Sequence, residues 1–333
     1  MEPPPTTIET RMFELEEEPP GELLGKPTGE PGRKPGTGGG LRRIVRGRID
    51  SPRGAEEAGE PLPVVLVLHG FKGFMNWGFF PTLSRRIAGA GFVAISFNMS
   101  GSGVGEDLEN ITDDAAFAAN TPTRELEDTD AVRGFVQSGA IPWVDPERIA
   151  IFGHSLGGGI ALLHAAEHAD LRAIVTWAAV SSVERFGPEA IVAWRREGYL
   201  SIPNARTGQI HRLDRAWLED VEENAAALDV RAACRRLRTP TLLVHGTADE
   251  AVGPAEVDAL VGAFPPGVAR LLSMEGSGHT FGATHPMGRM PAELERVLEA
   301  TIAHLQEHRG GSAAGDHSST RIVSPPEERS SMR

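Results

Sequence analysis

Residues 148–163 read RIAIFGHSLGGGIALL. An apolar run passes through a Gly-x-Ser-x-Gly turn, residues 153–157, into a run of small and apolar residues. This order predicts a strand, a tight turn and a helix, with Ser155 in the turn. The turn exposes the serine hydroxyl, and the first free N–H groups of the helix face the same point. Ser155 is therefore a candidate nucleophile; the alternative is a glycine-rich turn that carries an incidental serine.

Two further loops supply the partners that a serine nucleophile needs. Asp249 follows the predicted strand Thr241–Val244, and His279 follows the predicted strand Ala269–Ser273. The carboxyl ends of parallel strands meet at one edge of a sheet. A serine hydroxyl needs a base, and the base needs a carboxylate that fixes its orientation. The sequence therefore predicts Ser155 as nucleophile, His279 as base and Asp249 as the orienting carboxylate.

Other side chains compete for these roles. Asp249 is also placed to cap a helix that begins near Pro254, and Glu250 is adjacent. The glycine before His279 lets its loop bend towards the serine, which favours this histidine over the others. His69 and His245 each end a strand before a glycine and are expected to organise their turns. The remaining candidates are the carboxylates Asp214, Asp220 and Asp229 and the histidines His154, His164, His168 and His285.

Acyl transfer also requires donors for the oxyanion that develops on the carbonyl. The backbone N–H of Leu156, directly after the candidate nucleophile, is one such donor. The backbone N–H of Phe71, in the loop after the predicted strand Pro63–Leu68, is the other. Lys72 either approaches a substrate carboxylate or lies in solvent. Lys72, Trp77 and Trp194 are the candidates for substrate binding, although aromatic residues at such places also complete cores.

Strand and helix signals alternate along the chain, which predicts an α/β protein with a mostly parallel sheet flanked by helices. The 333 residues divide into a Pro/Gly-rich segment over 1–40, predicted to be a disordered tail, a catalytic domain over 41–308, and a second disordered tail over 309–333. Within the domain, residues 183–235 break the alternation and are predicted to form a helical cap insertion, with helices over Pro188–Arg196 and Leu213–Leu228. The alternative is a surface decoration with no role at the site. The other predicted strands are Leu41–Asp50, Pro63–Leu68, Phe92–Phe97, Arg148–Phe152 and Ala173–Ala178, and the predicted helices are Pro81–Ala90, Thr123–Ser138, the run ending at His168, and Pro291–His308.

The composition argues against nucleic acid and membranes as partners and against disulfides and cysteine-based metal sites. The formal net charge of −13 disfavours nucleic acid and anionic membrane surfaces. Cys234 is the single cysteine, so an intramolecular disulfide and a cysteine-based metal site are excluded. No apolar run reaches the length of a membrane span, and the first residues lack the pattern of a secretory signal, so the default expectation is a cytoplasmic protein. The sequence leaves the oligomeric state open.

The chain resembles the α/β-hydrolase superfamily over about residues 41–308, and more narrowly the dienelactone hydrolase-like and serine aminopeptidase or cinnamoyl-esterase-like group. The resemblance implies an eight-stranded sheet, a cap after the sixth strand, a Ser-His-Asp triad and carboxylester hydrolysis without a cofactor or metal. The matching pieces are the Ser155 turn, HGFKGF at 69–74, WGFFP at 77–81, FNMSGSG at 97–103, HGTADE at 245–250 and GHTFG at 278–282.

Two departures narrow what the resemblance implies. Ser155 stands where dienelactone hydrolases carry a cysteine, and the sequence shows no counterpart of the propeller of prolyl oligopeptidases. The expected reaction is therefore ester cleavage of a small molecule. Acyl transfer, thioester hydrolysis and peptide hydrolysis use the same three residues and remain alternatives. So does a non-catalytic binding protein, although none of the three residues is missing.

Overall fold

Eight strands form one sheet in the computed structural model, which describes residues 6–17 and 43–310. The spatial order is β1-β2-β4-β3-β5-β6-β9-β10. Strands β1 and β2 run antiparallel to their neighbours, and the other pairs are parallel, which confirms the predicted mostly parallel sheet. The strands are β1 (Ile8–Glu17), β2 (Arg43–Pro52), β3 (Leu62–Leu68), β4 (Val93–Asn98), β5 (Val144–His154), β6 (Ile174–Trp177), β9 (Thr241–Gly246) and β10 (Ala269–Met274), with β7 (Tyr199–Pro203) and β8 (Ile210–Asp214) in a separate hairpin.

Helices cover both faces of this sheet. Helix α3 begins at Pro122, one residue before the predicted start, and its first turn is capped by Thr121, whose hydroxyl accepts the N–H of Arg124 at 3.1 Å. None of the described helices is both long and apolar enough to cross a bilayer. The helices are α1 (Phe80–Gly89), α2 (Asp114–Ala118), α3 (Pro122–Gln137), α4 (Leu156–Glu167), α5 (Pro188–Glu197), α6 (Ala216–Glu223), α7 (Val230–Arg236), α8 (Pro254–Ala263) and α9 (Ala292–Glu307), with a 3₁₀ turn at Ser100–Ser102.

The continuous apolar runs of the central strands arise because both faces are buried. In β3, Val64, Leu66 and Leu68 enter one core with residues of α3, α4, α7 and α8. The alternate residues Val65 and Val67 enter a second core with residues of α1 and α9. Strand β3 therefore lies in the middle of the molecule. Its carboxyl end, like those of β5 and β9, lies at one sheet edge.

Strand β1 corrects the prediction of disorder over residues 1–40. Ile8–Glu17 pairs antiparallel with β2 along its whole length, and the Phe13 ring stacks on Phe135 at 5.2 Å. A Pro/Gly-rich composition over forty residues concealed a ten-residue segment with enough β-forming and apolar residues to add an edge strand. The rest of the predicted tails, residues 1–5, 18–40 and 311–333, lies outside the described residues.

The 183–235 insertion follows β6, as the resemblance implies, but it is not wholly helical. Helix α5 is followed by the antiparallel hairpin β7–β8 and then by α6. The prediction of a helix over Leu213–Leu228 is wrong at its start, because Leu213 and Asp214 belong to β8. Alternation of Leu213 and His211, both buried, with exposed Arg212 is the strand period that the helical interpretation missed.

Candidate active site

Ser155 lies in a strained turn between β5 and α4. Its backbone adopts φ 58° and ψ −121°, in the half of the map that residues with a side chain rarely enter. The flanking glycines make this turn possible. A Cβ on Gly153 would lie 2.1 Å from the carbonyl oxygen of Gly157, and one on Gly157 would lie 2.2 Å from that of His69. The predicted strand, turn and helix are therefore all present.

His279 and Asp249 are joined by a hydrogen bond. His279 Nδ1 donates to Asp249 Oδ2 at 2.8 Å, and the carboxylate is buried while the ring is partly open. The other carboxylate oxygen, Oδ1, accepts the backbone N–H groups of Ala251 and Val252, each at 2.9 Å. Asp249 therefore holds its own loop and the histidine at the same time, and the imidazole is fixed with its proton on Nδ1.

The environment of Asp249 keeps its carboxylate ionised. Burial alone raises the pKa of this carboxyl, but the hydrogen bond from His279 and those from the backbone of Val252 and Ala251 outweigh burial, so the pKa lies below its ordinary value. An ionised carboxylate at Nδ1 favours the imidazolium that forms when the other nitrogen takes a proton.

The loop of His279 rests on the residue that precedes the serine. His154 Nε2 donates to the carbonyl oxygen of His279 at 3.0 Å, and the two rings lie 4.6 Å apart between centroids. Burial, and then the charge of His279, lowers the pKa of His154 to about 3, so this ring is neutral at physiological pH.

In the described part of the chain the Ser155 hydroxyl is not hydrogen-bonded to His279. Such bonds are often long or poorly aligned before substrate binds.

A second loop crosses directly over the serine. A Cβ on Gly70 would lie 2.8 Å from Ser155 Cβ, so the next residue, Phe71, begins beside Ser155. Neither the Phe71 N–H nor the Leu156 N–H has a hydrogen-bond partner among residues 6–17 and 43–310. Both amides are therefore free to bind an oxyanion.

His69 fixes the position of this loop. Its Nε2 accepts the backbone N–H of Met99 at 3.1 Å, so its Nδ1 carries the proton and donates to the Gly70 carbonyl at 2.9 Å. Burial lowers the pKa of His69 to about 4, which keeps the ring in this neutral form. The prediction that His69 organises its turn agrees with these bonds. His245 does the same for the Asp249 loop, because its Nε2 donates to the Val252 carbonyl at 2.8 Å.

The competing residues occupy other places. Glu250 is exposed beside Asp249. Asp229 caps α7 through the N–H of Ala232, and Asp220 accepts the N–H of Thr123. His285 Nδ1 accepts the N–H of Gly78 at 3.0 Å. His164 and His168 lie towards the far end of α4, beside Asp130.

The three candidates for substrate binding differ in position. Lys72 is exposed, and its ammonium donates to the carbonyl of Pro203 in β7, which ties the Phe71 loop to the insertion. Trp77 is half-buried and stacks on His285 at 6.3 Å. Trp194 is 0% exposed, packs edge-on against Phe186, and belongs to the core of the insertion rather than to a surface that a ligand reaches.

The sequence predicts only a backbone role for Phe71. Its half-buried ring lies 5.6 Å from Trp217 of α6 and 5.8 Å from Phe117 of α2. The insertion therefore reaches the Phe71 loop through an aromatic contact. Nothing in the local sequence pairs these three residues, since they come from segments separated by dozens of positions.

Comparisons with known proteins agree with this architecture. The model of the prolyl oligopeptidase family matches residues 77–306, more than half of the chain. The polyketide synthase ThaQ of Burkholderia thailandensis is 37% identical over 101 residues, which are 30% of this chain and 5% of that protein. The chain thus spans about a twentieth of the length of this relative.

Solved structures share the fold. Est1E of Butyrivibrio proteoclasticus with bound ferulic acid has a TM-score of 0.60 at 21% identity, over 80% of this chain and 96% of that one. A monoacylglycerol lipase of Paleococcus ferrophilus has a TM-score of 0.57 at 16% identity, over 75% of this chain and 97% of that one. The architecture implied by the sequence resemblance is confirmed.

Proposed function

Since the chain belongs to the prolyl oligopeptidase family and is a hydrolase with the α/β-hydrolase fold, we propose that it cleaves carboxylic esters through an acyl-enzyme on Ser155. His279 is the base and Asp249 orients it. The observation that carries the proposal is the 2.8 Å bond between His279 Nδ1 and Asp249 Oδ2, made by a histidine whose loop rests on the residue before the strained serine.

The residues act in two half-reactions. Ser155 Oγ attacks the ester carbonyl carbon while its proton passes to His279 Nε2, and the N–H groups of Phe71 and Leu156 bind the oxyanion. The C–O bond to the alcohol then breaks, and His279 returns the proton to the leaving oxygen. Water attacks the acyl-enzyme in the same way, with His279 as base, and releases the acid and the free serine. No cofactor enters either step.

The substrate class we propose is a small ester with an aromatic or apolar acyl part. The Phe71 ring beside the oxyanion amides, in contact with Phe117 and Trp217, gives such a group an apolar surface. Est1E, which shares the fold, is described with bound ferulic acid, an aromatic acid.

Hydrolysis of p-nitrophenyl esters by the purified protein tests the reaction. Ser155→Ala is expected to lower kcat by about 10⁴- to 10⁶-fold, because no other group supplies the covalent intermediate. Ser138→Ala is the matched control, since its exposed hydroxyl bonds to the carbonyl of Phe135 and the N–H of Ala140 just after α3. Equal turnover by the wild type and Ser155→Ala would overturn the proposal, as would failure of a fluorophosphonate probe to label Ser155.

Peptide hydrolysis is the second candidate, and the family match favours it. The same acyl-enzyme forms from an amide, so the leaving group and the pocket decide between the two. Matched p-nitroanilides and p-nitrophenyl esters of the same acyl groups separate them. Because p-nitrophenyl esters are intrinsically the more reactive substrates, the absolute turnover of the anilides decides: ready cleavage of the anilides would favour the peptidase, and the ester proposal predicts that they are not measurably cleaved. Acyl transfer is separated by adding competing acceptor alcohols to the ester assay.

A further inference from the structure

A second cluster of histidine and aspartate lies away from the proposed active site. Asp130 of α3 faces His164 of α4 and His168, the residue directly after α4, which lies one helical turn further on. His164 Nδ1 lies 3.1 Å and His168 Nε2 lies 2.8 Å from the same oxygen, Asp130 Oδ1. The rise of an α-helix, about 1.5 Å per residue, places His164 about 13 Å along α4 from Ser155. The proposed catalytic steps use none of these three side chains.

His164 is the unusual member of the cluster. Its side chain is 0% exposed, yet neither ring nitrogen makes a hydrogen bond of acceptable geometry with a described residue. Nδ1 lies 3.1 Å from Asp130 Oδ1 without forming a hydrogen bond to it. Buried polar atoms nearly always have a partner, so an unsatisfied buried imidazole requires a separate explanation.

We propose that Asp130, His164 and His168 bind a divalent transition-metal ion, with Zn²⁺ as the best match. Two imidazoles and one carboxylate form a donor set that zinc prefers. Zinc–ligand distances of about 2.0–2.1 Å in a tetrahedral site place neighbouring ligand atoms about 3.3 Å apart. The observed separations of 3.1 and 2.8 Å therefore need only a few tenths of an ångström of outward movement. The ion takes up the nitrogen lone pair of His164 and leaves one position open to solvent.

The donor atoms of the three side chains converge on one point. Both imidazole nitrogens lie about 3 Å from the same carboxylate oxygen, Asp130 Oδ1. The positive charge of Arg133, three residues after Asp130 on α3, is paired with Asp170.

The ion also has a route to the site and a structural consequence. The side chains of His168 and Asp130 are 25% and 35% exposed, so the site opens to solvent on one side. Because the ligands come from two helices, a bound ion links α3 to α4. Among the described residues the other group close enough to hold a metal is His304 and Glu307 of α9 with His308, the residue directly after α9. There His304 Nε2 already faces the carbonyl of Pro240 at 3.3 Å. The His304 group therefore provides a control for the proposed site at Asp130.

The test is calorimetric titration of the chelator-treated full chain with ZnCl₂. We expect one Zn²⁺ per chain with a Kd near or below about 10 µM, and at least about tenfold weaker binding by His168→Ala and by Asp130→Asn. His308→Ala is the matched control, since it removes the histidine that directly follows α9 and stands four residues after His304, and its affinity should equal that of the wild type. Ester hydrolysis by His168→Ala should be unchanged, because the cluster is remote from Ser155.

Two results would overturn the proposal. One is wild-type binding weaker than about 1 mM; the other is a Kd that is unchanged by His168→Ala. Substitution of buried His164 is avoided because it risks the fold. Titration of the wild type with Co²⁺ gives an independent readout that needs no variant. Visible d–d bands that saturate at one ion per chain and are displaced by Zn²⁺ support the site, and their absence counts against it.

Discussion

The carboxyl edge of the sheet and the 183–235 insertion hold their residues in different ways. At the sheet edge, buried Asp249 accepts three hydrogen bonds, two of them from backbone amides of its own loop. The insertion is tied to the rest of the protein partly by long, exposed side chains such as Lys72 and Arg206. Bonds from backbone and buried groups tolerate little displacement, whereas each exposed polar tie contributes about 0–1 kcal/mol.

This difference separates two parts of the proposed function. The type of bond cleaved depends on the rigid edge, where a displacement of about 1 Å costs up to 10²-fold in rate. Substrate choice depends on the surface that the insertion presents to the Phe71 loop, where Trp217 contacts Phe71. Substitutions at the edge should therefore act on kcat, and those at the ties should act on KM.

Asp249→Asn tests the rigid edge most severely. Oδ1 accepts two backbone N–H groups, so the amide oxygen of asparagine stays there and its NH₂ faces His279. Nδ1 of His279 then becomes the acceptor and its proton moves to Nε2, the nitrogen that must take the proton of Ser155. We expect kcat to fall by about 10⁴-fold with p-nitrophenyl esters, while KM and the melting temperature change little.

Asp258→Asn is the matched control, since Asp258 is an exposed carboxylate of α8, and it should retain full activity. A loss of less than about tenfold in Asp249→Asn would show that the carboxylate does not set the tautomer. The sheet edge would then be no more sensitive to substitution than the insertion.

The sequence was most informative where local chemistry alone determines the structure. The Gly-x-Ser-x-Gly turn was predictable because glycine at 153 and 157 is required by contacts within and beside the turn. The buried strands were predictable because a short continuous apolar run such as that of β3 is typical of a strand with both faces buried. That His279 meets Asp249 followed from their places after parallel strands, whereas their catalytic roles stay a prediction.

The features that the sequence did not predict depend on contacts between residues far apart in the chain. Strand β1 becomes a strand only by pairing with β2, and its composition alone resembled a tail. The hairpin β7–β8 lies between two helices in a segment whose apolar spacing also fitted a helix. The spacing of His164 and His168 was visible on one helix, but Asp130 comes from another. The contact of His154 with the His279 carbonyl likewise exists only in the folded chain.

His154 is a positioning residue, one contact away from the reacting atoms, and substitutions there test how rigid the sheet edge is. His154→Phe keeps an aromatic ring under His279 and removes the donor to its carbonyl. We expect kcat to fall by about 10- to 100-fold, with KM within about twofold, because the base shifts while the pocket is unchanged.

His154→Gln, whose amide offers a donor, should recover most of the lost kcat. A packing role alone predicts the opposite order, with phenylalanine tolerated and glutamine harmful. Steady-state kinetics of both variants, beside their melting curves, decide between the two.

Arg206→Ala should have the smallest effect and acts on the insertion. The guanidinium donates to the carbonyl of Glu109 at 2.8 Å and to Asn110 Oδ1 at 3.1 Å, and it lies over the Phe74 ring. Loss of these exposed contacts loosens the hairpin tip, so KM for a bulky aromatic ester should rise by about two- to fivefold, with kcat unchanged. Arg196→Ala is the matched control, because Arg196 pairs with its neighbour Glu197 on α5. An equal rise in KM for a p-nitrophenyl acetate substrate would mean that the insertion does not discriminate by size. A fall in kcat instead would mean that the insertion and the catalytic edge move together.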